Sequence, residues 1–268
     1  MSGIHMKGAF TKTIDLNSDL GESFGAWRMG DDVALLAIVS SANIACGFHG
    51  GDPDVMRGTV AMAVQRDVAI GAHVSLPDLQ GFGRREMAVT PNEAYALTLY
   101  QVGALHGFAQ AAGTRLRHVK PHGALYNMAA RDAKLAAAIA RAVHDFDPTL
   151  YLFGLANSAL IDAGRAVGIP VAAEAFADRR YRPDGSLQPR REPDALIQES
   201  DEAIAQAMAM AREGRVRAVD GSILELQADT VCVHGDSAHA VTLARQLRAA
   251  LEAADIGIAP PHGSGRQA

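Results

Sequence analysis

Short apolar, strand-like runs alternate with stretches of helical spacing along almost the whole chain, and this rhythm constrains the fold more than any other feature. The strand-like runs lie at 13–17, 41–46, 68–72, 117–120, 149–154, 169–174 and 230–234. Helical spacing is clearest at 53–66, 92–112, 131–144, 157–167, 194–213 and 237–254. Pro53, Pro91 and Pro193 fall where a first helical turn would be. That position tolerates proline because its amides have no intrahelical partner. Alternating β and α units predict a parallel sheet covered by helices, and seven strands predict a barrel, closed or nearly so.

A length of 268 residues suits one α/β barrel or two small domains. No linker or low-complexity segment divides the chain, so one barrel domain is expected over 13–257, with 1–12 and 258–268 as flexible tails. Two loops break the rhythm, "SLPDLQGFGRRE" at 75–86 and "FADRRYRPDGSLQPRREP" at 176–193, and 216–226 reads as a hairpin around Asp220-Gly221. Hydrophobic residues make up 49% of the chain, enough to fill a sizeable core.

Several function classes are disfavoured at once. A net charge of −5 gives no general attraction to nucleic acid or to an anionic membrane. No apolar run approaches the ~18 residues of a membrane span, and "MSGIHMKGAF" lacks the apolar core of a signal peptide. Two cysteines, Cys46 and Cys232, make no disulfide framework and point to a reducing cytoplasm; both read as packing residues. There is no GxxxxGK[ST] phosphate loop, no GxGxxG after the first strand, no GxSxG elbow and no HExxH helix.

The residues that follow each strand carry the chemistry. The first strand runs into "DLNSDLGE", with Asp19 and Glu22; the second into "CGFHGGD", with His49 and Asp52. His73 ends the third, "KPHGALY" follows the fourth with Lys120, His122 and Tyr126, Glu174 ends the sixth, and "HGD" ends the last with His234 and Asp236. In a parallel barrel these ends form one face, where active sites are assembled from several strands. The arginine pairs 84–85 and 179–180 lie in loops that overhang this face and suit an anion.

"DLNSDLGE", "SANIACGFHGGD", "GFGRR", "VKPHGALYN", "EAFADRRY" and "CVHGD" closely resemble the motifs of the LamB/YcsF family, over about 13–257. The resemblance implies a deformed seven-stranded parallel β/α barrel, similar to glycoside hydrolase/deacetylase barrels. It also implies the A component of an ATP-dependent 5-oxoprolinase, which opens 5-oxo-L-proline (pyroglutamate) to L-glutamate with partner subunits B and C. The family usually reads GAHPS followed by an aromatic residue, where this chain has Val74 and Leu76.

A five-membered lactam is a stable amide with a poor nitrogen leaving group, so its hydrolysis needs an activated carbonyl, an activated water and a proton donor. Asp19 or Glu22, oriented by His73 or His122, suits water activation. Lys120 suits developing negative charge or phosphate. Arg84, Arg179 and Tyr181 suit the substrate carboxylate, and His234 with Asp236 suits the leaving nitrogen. Asn17, Asn43, His49, Asp52, Tyr126 and Glu174 are expected to line the substrate site. Two other readings stay open: a metal-dependent deacetylase-like hydrolase with Asp19, His49 and His73 as ligands, or a subunit that only holds the ligand. The sequence leaves self-association and the place of ATP open. Removing the charge of Lys120 is expected to cost activity but little stability, because an unpaired buried cation is itself expensive.

Overall fold

The computed structural model describes residues 12–234 and 239–262. In chain order its first half comprises β1 (Lys12–Leu20), α1 (Asp32–Leu35), β2 (Ser41–Ala45), α2 (Pro53–Gln65), β3 (Ala69–Val74), α3 (Pro91–Ala111), β4 (His118–Pro121), α4 (Gly123–Arg131) and α5 (Ala133–Phe146). There follow β5 (Tyr151–Leu155), α6 (Ala159–Ala166), β6 (Val171–Phe176), α7 (Ser200–Glu213), β7 (Arg215–Arg217), β8 (Ile223–Glu225), β9 (Thr230–Cys232), α8 (Ala240–Ala253) and β10 (Ile256–Ile258). Seven parallel strands in the order β1-β2-β3-β4-β5-β6-β9 close into a barrel when β9 pairs with β1. The expected β/α barrel is therefore observed.

Closure distorts at one seam. β1 is nine residues long and has two partners on the same edge. β10 pairs with Lys12–Ile14, and β9 takes over at Asp15–Asn17. The strand-paired chain thus runs from Lys12 to Ile258, one residue beyond each limit read from the sequence. β7 and β8 form the antiparallel hairpin expected around Asp220-Gly221, with Gly221 at φ +88° and Asp220 accepting from the Ser222 amide.

Local chemistry sets the helix starts. The Asp52 carboxylate caps α2 by accepting from the Asp54 and Val55 amides, just before Pro53. Thr90 and Glu93 form a capping box on α3, with Pro91 in the first turn. Pro193 does not start a helix, contrary to the expectation for 194–213. Residues 194–199 form a strap against the loop after β6, with the Arg180 amide on the Ala195 carbonyl and the Ile197 amide on the Asp178 carbonyl. α7 begins only at Ser200. The helix expected at 131–144 is observed as α5 (Ala133–Phe146), and a further helix not expected from the sequence, α4, starts at Gly123 directly behind His122.

The apolar core lies chiefly between the sheet and its helices: Leu16, Ile44, Ile70, Leu105, Leu125 and Leu247 are all buried. The barrel interior is instead crowded with polar side chains, and Gly71 makes room for one of them. A Cβ at Gly71 would stand 2.0 Å from Nε2 of His118 on the neighbouring strand. Gly71→Ala is expected to destabilise the fold by about 1–3 kcal/mol, the usual cost of overpacking. A urea midpoint equal to that of the wild type would show that His118 can leave its place freely.

Candidate active site

Alternation along β1 turns Asp15, Asn17 and Asp19 to one face and Leu16, Ser18 and Leu20 to the other. The first face is the barrel lumen, since Asn17 reaches Glu174 on β6 at 3.0 Å and Thr230 on β9 at 2.7 Å. The acidic stretch is therefore strand as far as Leu20, beyond the end expected at 17, and the loop begins only at Gly21.

Lys120 crosses the lumen from β4 and is 2% exposed. Its Nζ donates to Asp19 Oδ1 at 2.9 Å and lies 2.8 Å from Glu174 Oε1. Asn17 Oδ1 at 3.2 Å and Cys232 Sγ at 3.3 Å complete its surroundings. Burial opposes the charge of Lys120, but Asp19 and the other acidic groups outweigh it and hold the amine well above its ordinary pKa. Burial likewise opposes ionisation of Asp19, yet His73 and Lys120 keep its carboxyl well below the usual range. Burial pushes the Cys232 thiol well up, so it stays protonated beside the ammonium. Cys232 is thus more than packing.

Two asparagines orient this ion pair. Asn43 Nδ2 donates to Asn17 Oδ1 at 2.7 Å and to Asp19 Oδ1 at 2.9 Å, and its Oδ1 accepts from His118 Nε2 at 2.7 Å. Burial and the charge of Lys120 pull the His118 imidazole down to about 3, so it is a neutral donor. Below them Asp15 accepts from Ser40, Ser41 and Thr230 at 2.6, 2.7 and 2.5 Å. Burial still drives its carboxyl up to about 6 against those hydroxyls. Neither Asp15 nor His118 was among the candidates; their signal is the period-two pattern shared with Asn17, Asp19 and Lys120.

Above this floor opens a cavity of about 1060 Å³. Asp19, His73, Lys120, His122, Tyr126, Phe176 and His234 line its inner part, and Arg84 and Arg179 its mouth. His234 Nδ1 donates to both oxygens of Asp178, at 2.9 and 3.0 Å. Asp178, which was not among the candidates, is thus a carboxylate partner of His234; Asp236 lies outside the described residues. A ring nitrogen of His234 is within 4.8 Å of an Asp19 oxygen. Among the described residues, every hydrogen bond to the Asp19 carboxylate converges on Oδ1, while Asp19 itself borders the cavity. Arg179 is buried, its Nη2 donates to the Gln188 carbonyl at 2.6 Å, and its Nε meets no partner. Burial and the neighbouring Arg190 pull its guanidinium down to about 10. The Tyr126 hydroxyl is buried, and burial followed by Glu174 holds it well above its ordinary pKa.

Several expected substrate contacts have other employment. The Tyr181 hydroxyl accepts from the Phe176 amide at 2.8 Å under the cavity floor. Asp52 caps α2 and accepts from the Gly25 amide at 2.8 Å. Asn17, Asn43 and Glu174 form the layer behind Asp19 and Lys120. His49 lies behind His122, with parallel rings 3.8 Å apart, and its Nε2 is 3.1 Å from Glu22 Oε1. Among the described residues two groups have metal-ligand character: Glu22, His49, His73 and His122, and Asp19, Cys232 and His234. In the second the Lys120 ammonium already touches Asp19 and Cys232. Of the candidate metal set Asp19, His49 and His73, the two histidines group with Glu22, while Asp19 Oδ1 pairs with Lys120 and stands 3.4 Å from His73 Nε2.

Residues 14–265 match the model of the LamB/YcsF family. The chain belongs to the LamB/YcsF family. It is 62% identical over 245 residues to the A component of 5-oxoprolinase from Bordetella pertussis (strain Tohama I), an alignment covering 91% of this chain and 97% of that one. It is 58% identical over 245 residues to the corresponding A component of 5-oxoprolinase from Bacillus subtilis (strain 168), covering 91% and 95%. Among solved structures, a lactam utilization protein from Thermus thermophilus superposes with a TM-score of 0.87 at 47% identity, covering 92% of this chain and 99% of that one. The departures from the usual LamB/YcsF pattern, Val74 and Leu76, are fully buried, and the Val74 carbonyl accepts from the His122 amide at 2.7 Å. They pack behind the site, next to His73 in the chain and against the His122 amide.

With two carboxylates on Lys120, the expectation that its removal costs little stability is revised. Lys120→Met would leave Asp19 and Glu174 buried without their cation, at a cost of about 3–5 kcal/mol at neutral pH. Asp19 has a depressed folded pKa, so its contribution in the wild type is present above the ordinary carboxylate range and lost on acidification. In the variant the carboxyls are relieved by protonation. The stability gap measured by denaturant unfolding should therefore narrow as pH falls towards about 4; a gap independent of pH would contradict the ion-pair account.

Proposed function

We propose that this chain is the lactam-opening component of an ATP-dependent 5-oxoprolinase, forming L-glutamate from 5-oxo-L-proline in the cytoplasm together with subunits B and C. The names of its relatives support this substrate and a multi-subunit enzyme. The observation that carries the reading is the His234–Asp178 pair beside the Asp19–Lys120 ion pair, at the floor of a cavity rimmed by arginine.

The chemistry divides between subunits. A lactam carbonyl becomes electrophilic when its oxygen is phosphorylated, and the chain has no phosphate-binding loop, so ATP is assigned to the partners. Overall, ATP, the lactam and two waters give ADP, phosphate and glutamate. On this chain Asp19 is ionised, and its low basicity suits orienting the attacking water more than deprotonating it. Asp178 holds the proton of His234 on Nδ1, which leaves Nε2 to take the water proton and pass it to the departing ring nitrogen. Lys120 stabilises negative charge as it develops, and Arg179 provides an anion contact for the substrate carboxylate or phosphate.

The test is reconstitution, with glutamate measured from 5-oxoproline and ATP. This chain alone should show no ATP-dependent turnover, and B and C alone should release little glutamate. In the full mixture Asp19→Asn and His234→Gln should each reduce the rate by more than about 100-fold. Robust turnover by the isolated chain would overturn the division of labour. Near-normal rates in correctly folded variants would reduce the chain to a ligand-holding role.

A further inference from the structure

Three imidazoles and a carboxylate from four successive strand ends meet beside Asp19, and protein atoms alone do not satisfy the imidazoles. A neutral imidazole has one N–H and one lone pair. His73 Nδ1 lies 3.0 Å from the Lys120 carbonyl, and His122 Nε2 lies 2.9 Å from the Phe82 carbonyl. A carbonyl only accepts, so these two nitrogens carry the protons. The lone pairs are left on His73 Nε2 and His122 Nδ1, which face each other at 2.9 Å. His49 differs: among the described residues no backbone carbonyl holds its ring, its Nε2 faces Glu22 Oε1, an acceptor, and its buried Nδ1 has no hydrogen-bond partner. Whichever nitrogen holds the His49 lone pair, no donor among the described residues reaches it.

Lone pairs facing one another, with the outer nitrogens of His73 and His122 pinned by backbone carbonyls, are the arrangement that fixes imidazole ligands around a metal. The spacing agrees. The four ligand atoms lie within 4.8 Å of one another, and three of their separations are 2.9, 3.1 and 3.7 Å. A tetrahedron with ligands at 2.0–2.1 Å has edges of about 3.3 Å. Three imidazoles and one carboxylate suit a borderline divalent ion. We propose that Glu22, His49, His73 and His122 form a binding site for one divalent first-row transition ion, with Zn²⁺ the best match. When bound, the ion would supply Lewis-acidic charge at the cavity wall next to Asp19.

The alternative occupant of the same point is an extra proton shared between His73 and His122, with Asp19 Oδ1 3.4 Å from His73 Nε2 to balance it. The full-length chain, stripped with chelator and dialysed, would be titrated with Co²⁺ and followed by visible absorption and equilibrium dialysis. One equivalent should bind and give the intense d–d bands of a low-coordinate cobalt centre. The near-isosteric Glu22→Gln should weaken binding by at least about tenfold, as should His122→Asn. His234→Gln, in the neighbouring group that holds Lys120, should leave the affinity unchanged. Circular dichroism establishes that each variant is folded. The absence of stoichiometric binding, or binding lost in His234→Gln and retained in Glu22→Gln, would overturn the assignment. So would ¹⁵N spectra of the metal-free chain showing an imidazolium at His73 or His122 at neutral pH. None of these measurements requires lactam turnover, so the site stands or falls apart from the proposed reaction.

Discussion

An ammonium group held inside a barrel, between carboxylates from two other strands, is the interaction on which the rest of this structure depends. Taking Lys120, Asp19 and Glu174 out of water costs several kcal/mol per ion, and attraction offsets that only where the remaining polar sites are also filled. A chain of lumen side chains fills most of them in one direction, with Glu174 Oε2 left over. His118 Nε2 donates to Asn43 Oδ1, Asn43 to Asn17, Asn17 to Thr230, and Thr230 to Asp15. Asn17 uses both amide hydrogens, on Glu174 and Thr230, and its oxygen accepts from Lys120 and Asn43. Rotating that amide would point its NH₂ at the ammonium, so the network admits a single orientation. The site is rigid because its floor has no second arrangement of comparable energy.

This floor explains why the barrel carries polar residues where such barrels usually pack branched apolar ones. Apolar packing is moved outward, to the layer between strands and helices, where Leu16, Ile44 and Ile70 meet the helices around the sheet. The alternation along β1 serves both layers at once: odd-numbered polar residues build the lumen and even-numbered Leu16 and Leu20 anchor the helices. A one-residue slip of β1 would bury leucines among the ions and turn Asp19 into the apolar layer, so the chemistry of the lumen also fixes the register.

The same alternation marks what could be read before the structure. The strand–helix rhythm specified the barrel because periodicity is local. The placing of Asp19, His73, Lys120, His122 and His234 around one cavity followed because parallel strands present their ends on one face. Pairings between distant segments were not legible. Nothing near "HGD" indicates that His234 turns to Asp178, because that choice depends on how the loop after β6 folds back. Pro193 carried a helix-start signal, but Ala195 and Ile197 gain burial and backbone partners as a strap. Tyr181 lay in a motif with Arg179 and looked like a ligand contact; a buried phenol under the floor was better satisfied by the Phe176 amide.

The charge of the chain and the charge of its cavity have opposite signs, and the ion-pair floor reconciles them. The protein carries a net charge of −5, which taken alone would repel an anion. Inside the lumen, however, Asp19 and Glu174 are engaged with Lys120. At the mouth several arginines are balanced locally: Arg85 by Asp78, Arg131 by Glu86 and Arg182 by Glu192. Arg179 differs, since its Nε is buried without a hydrogen-bond partner and Arg190 presses on its charge. Low-dielectric walls concentrate that field along the cavity axis, between the arginine mouth and the lysine floor. An anionic ligand entering there meets a cation whose burial already disfavours its charge, and the contact relieves a cost the folded protein otherwise carries. A preference for an anion on these grounds would be a property of the cavity's depth and not of the surface, and an acidic net charge would not abolish it.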